Sequence, residues 1–273
     1  MDLNELRCAA EPFLEQVRAK VAEAAAEGES ARAAELTGYP LRVPGHMLRP
    51  FLVFLTSACI GGGGRERENR LAALAAAVEL LHTASLVHDD LLDHDRFRRG
   101  RKCIHEVYGF RNALLCGNLL YIKAIRLCSA ALGPAQVEDL LETAASMCEG
   151  ELLQNEYAGR NVPESAYFRI IGGKTSSLLS LSCRQAAVLC GAAPDTAALF
   201  GKLGAKLGLL YQLLDDCRDG DVTPEAGFDS GAAIRACGDA IRTDLRSFPS
   251  SFQTEGFLAL EVYLEGSRAV SGA

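Results

Sequence analysis

The sequence has no tryptophan, and with 7 tyrosines and 11 phenylalanines only 7% of its 273 residues are aromatic. It has no basic excess either: 28 lysines and arginines face 35 aspartates and glutamates, a formal net charge of −7. Nucleic-acid surfaces are net basic and interleaved with stacking rings, so these two deficits exclude nucleic acid as a partner. The 10 cysteines run from Cys8 to Cys237 without one Cys-x-x-Cys pair, which gives no sign of a disulfide framework and marks them as reduced core residues. No Gly- or Pro-rich linker and no low-complexity tract divides the chain. Apolar segments are broken by charges before the ~20 residues that a bilayer span needs, so no transmembrane segment is expected. Met1-Asp2-Leu3-Asn4-Glu5 turns acidic where a signal peptide would be basic and then apolar. The expectation is a cytoplasmic chain folded as a single domain over 1–273, with 49% hydrophobic residues to build a core.

Alternation of β-branched residues is nearly absent, and apolar residues recur at helical spacing almost throughout. The pattern predicts helices over about 3–27 and 30–37, one carrying Arg49-Pro50-Phe51 that closes at Gly61 to Gly64, and a long one over about 66–95. Further helices are predicted over about 112–131, 135–158, 164–190 with a kink at Gly172-Gly173, 195–220, 229–247 and 250–266. The fold class is therefore all-α, a bundle of long antiparallel helices around a central cavity.

One stretch carries the chemistry, His88-Asp89-Asp90-Leu91-Leu92-Asp93. Residues four apart share a helix face, so Asp89 and Asp93 present two carboxylates side by side. The preceding Leu80, Leu81, Leu86 and Val87 mark a buried helix, where unpaired carboxylates are costly. Asp215-Asp216-x-x-Asp219 repeats the spacing near the end of another long apolar helix. A helix C-terminus carries partial negative charge, so acidic clusters there ask for a cation. With oxygen donors and no His or Cys cluster, that cation is Mg²⁺, typically held by a few carboxylates plus substrate phosphates. Metal ions and cationic side chains stabilise a departing diphosphate, and the carbocation left behind needs an apolar pocket without water. The basic run Arg96-Phe97-Arg98-Arg99-Gly100-Arg101-Lys102 follows at once; taken alone, it could simply neutralise the carboxylates. Lys174, between Gly173 and Thr175, is not a P-loop lysine, because Phe168 stands where that motif needs glycine and no strand precedes it.

The run from Glu79 to Gly109, with His82, Asp89-Asp90-Leu91-Leu92-Asp93, Arg98-Arg99-Gly100 and His105, resembles the trans-isoprenyl diphosphate synthases. The likeness continues through Leu48-Arg49-Pro50, Gly150-Glu151-x-x-Gln154, Lys174-Thr175 and Tyr211-Gln212-x-x-Asp215-Asp216-x-x-Asp219, so it covers about 45–220. The resemblance implies head-to-tail prenyl transfer, in which an allylic diphosphate is condensed with isopentenyl diphosphate. It implies Mg²⁺, three ions once substrate is bound, with Asp89, Asp93 and Asp215 as direct ligands. Asp90, Asp216 and Asp219 would be second-layer or water-mediated partners, Asp219 also being a candidate ligand itself. Asp89, Asp93, Arg98, Lys174 and Asp215 would carry the catalysis. Arg98, Lys174 and Gln212 would hold the allylic diphosphate; Arg49, His82 and Arg99, with His46 beside them, would hold isopentenyl diphosphate. A homodimer is implied as well.

Three departures from the family pattern stand out. His46 and Met47 replace a usual lysine and arginine, and a neutral imidazole binds diphosphate less strongly than lysine. No lysine occurs after Lys206, so Arg218, Arg235, Arg242 or a heteromeric partner would have to replace one usually present after the second acidic motif. Finally, Ala84 and Ser85, five and four residues before Asp89, are small where bulky aromatics would stop chain growth, which predicts a medium or long all-trans product. A short-chain farnesyl or geranylgeranyl synthase, a class I terpene synthase and a non-catalytic subunit of a prenyl synthase remain as alternatives.

Overall fold

The computed structural model describes residues 3–28, 30–43, 45–219, 224–225, 227–248, 252 and 254–270, without the side chains of 218–219 and 265–270. Twelve α-helices account for most of it: α1 (Leu3–Ala26), α2 (Ala31–Gly38), α3 (Leu48–Ile60), α4 (Arg65–Leu92), α5 (Ile104–Tyr108), α6 (Phe110–Ala131), α7 (Pro134–Glu156), α8 (Glu164–Ile171), α9 (Ser177–Leu189), α10 (Pro194–Asp219), α11 (Ser230–Ser247) and α12 (Glu255–Val270). The all-α class read from the periodicity is the observed one.

The bundle is built around α4. Residues 71–81 of this helix are buried on every side, which marks a central helix and not an amphipathic one. It packs on α1, α3, α6 and α9. Leu74, Leu80 and Leu81 are fully buried, each contributing about 1.5–3 kcal/mol, and the intervening alanines let neighbouring helices come close. The apolar segments of α4 and α6 are longer than the sequence pattern suggests, reaching bilayer-spanning length by length and composition, a test that the core helix of a bundle also passes. Single charges, Glu79 in α4 and Lys123 and Arg126 in α6, interrupt these helices without shortening the apolar run below that length. Most of the apolar window of α4 is buried within the bundle, and less of that of α6.

The helix carrying the first acidic motif stops earlier than its pattern suggests. Asp93 is the C-cap, its N–H donating to Asp89 O at 2.8 Å, and His94 takes φ 57°, which ends helical hydrogen bonding. A hairpin follows that periodicity could not reveal, because its strands β1 (Phe97–Arg98) and β2 (Arg101–Lys102) have two residues each. Its turn, Arg99-Gly100, has φ values of 51° and 75°, the signs a tight primed hairpin turn requires. The predicted kink at Gly172-Gly173 is a π-helical turn, residues Gly172–Ser176, between α8 and α9. Such turns widen a helix locally and re-aim its side chains.

Candidate active site

Lys174 is aimed by two glycines. A Cβ at Gly150 would lie 2.9 Å from Lys174 N, and one at Gly173 would lie 2.6 Å from Ser146 O. Both neighbours are backbone, so only glycine lets the π-helical turn sit this close to α7. The approach brings Lys174 Nζ to 2.9 Å from Gln154 Oε1 and 2.5 Å from Glu151 Oε2. Thr175, next along the turn, donates to Gln212 Oε1 at 2.8 Å, and Gln212 donates to Asp216 Oδ1 at 2.8 Å. Tyr167 donates to the other Asp216 oxygen at 2.6 Å. One hydrogen-bonded chain therefore ties the π-helical turn to the second acidic motif on α10.

Asp89 faces this arrangement from α4. Burial pushes its carboxyl up to about 7; Lys174 and Arg98 oppose the shift, while Glu151 and Asp93 add to it. Asp93, Glu151, Lys174 and Arg98 are thus each close enough to act on Asp89. Arg98 is committed to Asp90, to which its Nε donates, and it approaches Asp95 at 3.5 Å. Burial opposes the Arg98 charge, but Asp90 and its neighbours more than restore it. Asp215 is half-buried on α10. The side chain of Asp219 lies outside the described residues.

A second cluster surrounds a chamber of about 50 Å³ bordered by His46, Arg49, His82, Arg99, Glu79 and Tyr211. Among the described residues, Arg49 Nε and Glu79 Oε2 are buried without a hydrogen-bond partner. Burial lowers the Arg49 pKa and raises that of Glu79, each partly offset by the other. His82 is pushed well below the usual histidine range by burial and by Arg49, Arg99 and Arg98, so its imidazole is neutral. Unpartnered cationic nitrogen beside a phosphate-sized space is what a receptor for a small anion offers. Arg99 reaches the chamber from the hairpin turn, its guanidinium lodged on Gly45, where a Cβ would meet Nη2 at 2.5 Å.

The structure gathers Arg49, His82, Arg99 and His46 around one chamber, and Asp89, Arg98 and Lys174 around another focus. Arg242, one of the arginines considered for the C-terminal cation, is engaged with Asp239 at 3.1 Å and with Glu261. Ala84 is fully buried in the apolar core, and Ser85 is half-buried with its hydroxyl donating to His82 O at 2.9 Å. Glu79, Glu151, Gln154 and Tyr167 were not assigned roles from sequence. For Glu79 a signal existed, an acid inside an unbroken Ala/Leu/Val run; for Tyr167 none did.

Among the described residues no three acidic, His or Cys side chains converge as a self-sufficient metal cage. The donor chemistry nevertheless suits a hard divalent cation completed by phosphate and water, since Asp89 is disfavoured as an anion by burial and by Glu151 and Asp93. The sign of the resulting pH effect is fixed. A carboxyl whose folded pKa is raised to about 7 favours folding at low pH, and that advantage is lost as pH rises from about 4 through 7, on the order of 4 kcal/mol. Thermal unfolding in EDTA is expected to show Tm falling from pH 5 to 8, with the Asp89→Asn variant showing a flatter profile. An equal slope in both proteins would contradict the assignment.

Residues 31–227 match the model of the polyprenyl synthetase family. A short chain isoprenyl diphosphate synthase from Methanothermobacter thermautotrophicus is 33% identical over 180 residues, 64% of this chain and 54% of the relative. A decaprenyl-diphosphate synthase from Dictyostelium discoideum is 31% identical over 230 residues, 83% of this chain and 47% of the relative. The matched region thus spans about half the length of these curated relatives. Among solved structures, a polyprenyl synthase from Caulobacter crescentus CB15 complexed with calcium and isoprenyl diphosphate superposes with a TM-score of 0.74 at 26% identity, covering 98% of this chain and 86% of that one.

Proposed function

Because this chain belongs to the polyprenyl synthetase family, we propose that it condenses an allylic prenyl diphosphate with isopentenyl diphosphate in a Mg²⁺-dependent, head-to-tail prenyl transfer. The observation that carries the reading is the pairing of two anion-receptive foci, Lys174 beside Asp89 and Arg49 beside His82 and Arg99. One fits the diphosphate that leaves, the other the diphosphate that stays.

Asp89, Asp93 and Asp215 would hold the metal, with Asp219 a further candidate, and three ions are expected with substrate bound. When bound, Mg²⁺ supplies charge stabilisation to the leaving diphosphate. Lys174, held between Gln154 and Glu151, and Arg98, held by Asp90, orient the allylic diphosphate. Gln212, fixed by Thr175 and Asp216, borders the same site. As the allylic C–O bond breaks, the electron pair leaves with the diphosphate. The isopentenyl double bond then attacks the allylic carbon, and the proton lost from the new cation passes to the departing diphosphate. Arg49, Arg99 and neutral His82 keep isopentenyl diphosphate in place meanwhile. The surrounding Leu and Ala side chains of α4 exclude water from the cation.

A homodimer is part of the proposal, supported by exposed Phe110, Leu115 and Ile122 along α6, and a cytoplasmic location goes with it. Incubation with Mg²⁺, farnesyl diphosphate and labelled isopentenyl diphosphate tests the activity. Chain extension is the expected outcome; a cyclised hydrocarbon, or no turnover, would refute it.

A medium or long product is proposed from the small pair Ala84 and Ser85. Ser85 lies one turn before Asp89 and shares its face, whereas Ala84 is already 0% exposed. Ser85→Phe is therefore expected to shorten the products without unfolding the protein. Ala84→Phe should instead lose about 1–3 kcal/mol through overpacking. Product chain lengths by mass spectrometry decide: an unchanged distribution in Ser85→Phe would rule the idea out.

A further inference from the structure

The hairpin that carries Arg98 and Arg99 is held from outside by one aromatic side chain, Tyr39. This residue follows α2 and leads into a single 3₁₀ turn, Pro40–Arg42. Its hydroxyl donates to Lys102 O on β2 at 2.9 Å. Two guanidiniums lie over its ring, Arg101 of β2 at 4.9 Å and Arg42 at 5.4 Å, and the Tyr108 ring meets it edge-on at 5.3 Å. Tyr108 is anchored in turn: its hydroxyl donates to Glu35 Oε1 at 3.0 Å, and Arg32, paired with Glu35 at 2.8 Å, lies 4.9 Å over its ring. Each of these contacts is modest alone. Together they pin β2 and α5 to the end of α2.

The two arginines of the hairpin depend on this clamp unequally. Arg98 has its own anchor at the end of α4, since its Nε donates to Asp90 and its Nη2 lies 3.5 Å from Asp95. Arg99 has no such ion pair among the described residues; it donates to Val43 O at 3.4 Å and feels Glu79 across the small chamber. Its place is set by the hairpin backbone, in which Phe97 faces Lys102 and Arg98 faces Arg101, so a shift of β2 is carried into the turn. From Tyr39 the chain runs on through Val43 and Gly45 to His46 and Arg49, which border the same chamber as Arg99. Tyr39 thus links the two segments that supply the chamber's arginines.

We infer that Tyr39 is a positioning residue for isopentenyl diphosphate: it fixes Arg99 on the hairpin relative to Arg49 on α3, while Arg98 is held independently of it. This role rests on the prenyl-transfer reading above, which gives the chamber to isopentenyl diphosphate and Arg98 to the allylic one. A diphosphate gripped by two cations tolerates little displacement of either. Loosening Tyr39 therefore weakens one substrate and spares the other.

The test is steady-state elongation by the full chain with Mg²⁺, farnesyl diphosphate and isopentenyl diphosphate, each substrate varied in turn. Tyr39→Phe loses the hydroxyl and keeps the ring, so KM for isopentenyl diphosphate should rise about threefold; Tyr39→Leu loses both and should raise it about tenfold or more. In both variants KM for farnesyl diphosphate should stay within about twofold of wild type, and kcat within about threefold. Because Tyr39 acts through Arg99, adding Tyr39→Leu to Arg99→Met should raise the isopentenyl KM by less than about twofold further. Circular dichroism and Tm establish that the variants are folded, and Tyr39→Phe, which keeps the packing, carries the test if Tyr39→Leu does not fold. The proposal is overturned by an isopentenyl KM unchanged in the folded Tyr39 variants, by the two KM values rising together as a general loosening would make them, or by full additivity with Arg99→Met. If Arg99→Met raises the isopentenyl KM and the Tyr39 variants do not, only this inference falls. Failure of the wild type to elongate, or an Arg99→Met variant with unchanged isopentenyl KM, discards the reading beneath it as well.

Discussion

Asp89→Asn is expected to lower kcat/KM for chain elongation about a thousand-fold while making the metal-free protein more stable at neutral pH. The two effects have one cause. Asparagine keeps the volume and one oxygen of aspartate but cannot carry the charge that would anchor a divalent cation in the proposed reaction. Loss of metal-assisted charge stabilisation at the leaving diphosphate is worth several kcal/mol, and about 4 kcal/mol corresponds to a factor of about a thousand. The same charge is a burden to the empty site, because burial together with Glu151 and Asp93 pushes the Asp89 carboxyl up to about 7. Removing it relieves the fold, a gain in stability made at the expense of function. Steady-state kinetics with isopentenyl diphosphate, set beside thermal melts in EDTA at pH 8, measures both. Activity within tenfold of wild type, or a variant less stable than wild type at pH 8, would contradict the account.

Helix positions were legible because the 3.6-residue period runs through long segments, and the acidic motifs were legible because their spacing repeats at Asp89 and Asp215. Less legible were features whose information lies in another part of the chain. The hairpin that presents Arg98 and Arg99 has two-residue strands, too short for any alternation, and only the Arg-Gly dipeptide hints at its turn. The helix end at Asp93 depends on His94 adopting a left-handed conformation, which its residue type does not demand. The Gly172-Gly173 pair marks a disturbance, but that it becomes a π-helical turn is decided by α7 pressing on Gly173. Glu79 could be noticed as an acid in an apolar run; that Arg49 faces it across a small chamber is a tertiary fact. The Ala84-Ser85 pair shows the limit most clearly, since adjacent small residues on one helix occupy different environments, one in the core and one on the face that carries Asp89.

Gly173→Ala is expected to cost about 1–3 kcal/mol, a fall in Tm of about 3–10 °C, together with a loss of elongation of about a hundred-fold. The added Cβ would lie 2.6 Å from Ser146 O and 3.2 Å from the Cα of Gly150. Both are backbone of a long helix, so no side chain can swing aside; the π-helical turn must retreat from α7. Lys174 then moves away from Glu151 and Gln154, now at 2.5 and 2.9 Å, and Thr175 draws on its bond to Gln212. A displacement of ~1 Å at a positioned cation is enough for a hundred-fold effect. Gly172→Ala separates this packing argument from a general intolerance of side chains in the turn. Gly172 has φ −61° and ψ −51°, and a Cβ there meets nothing within 4 Å. Alanine at that site should be neutral or stabilising by about 0.5–1 kcal/mol through the lost flexibility of glycine, with elongation unchanged. If the two alanine variants melt and turn over alike, the close approach at Gly173 is not what holds Lys174 in place.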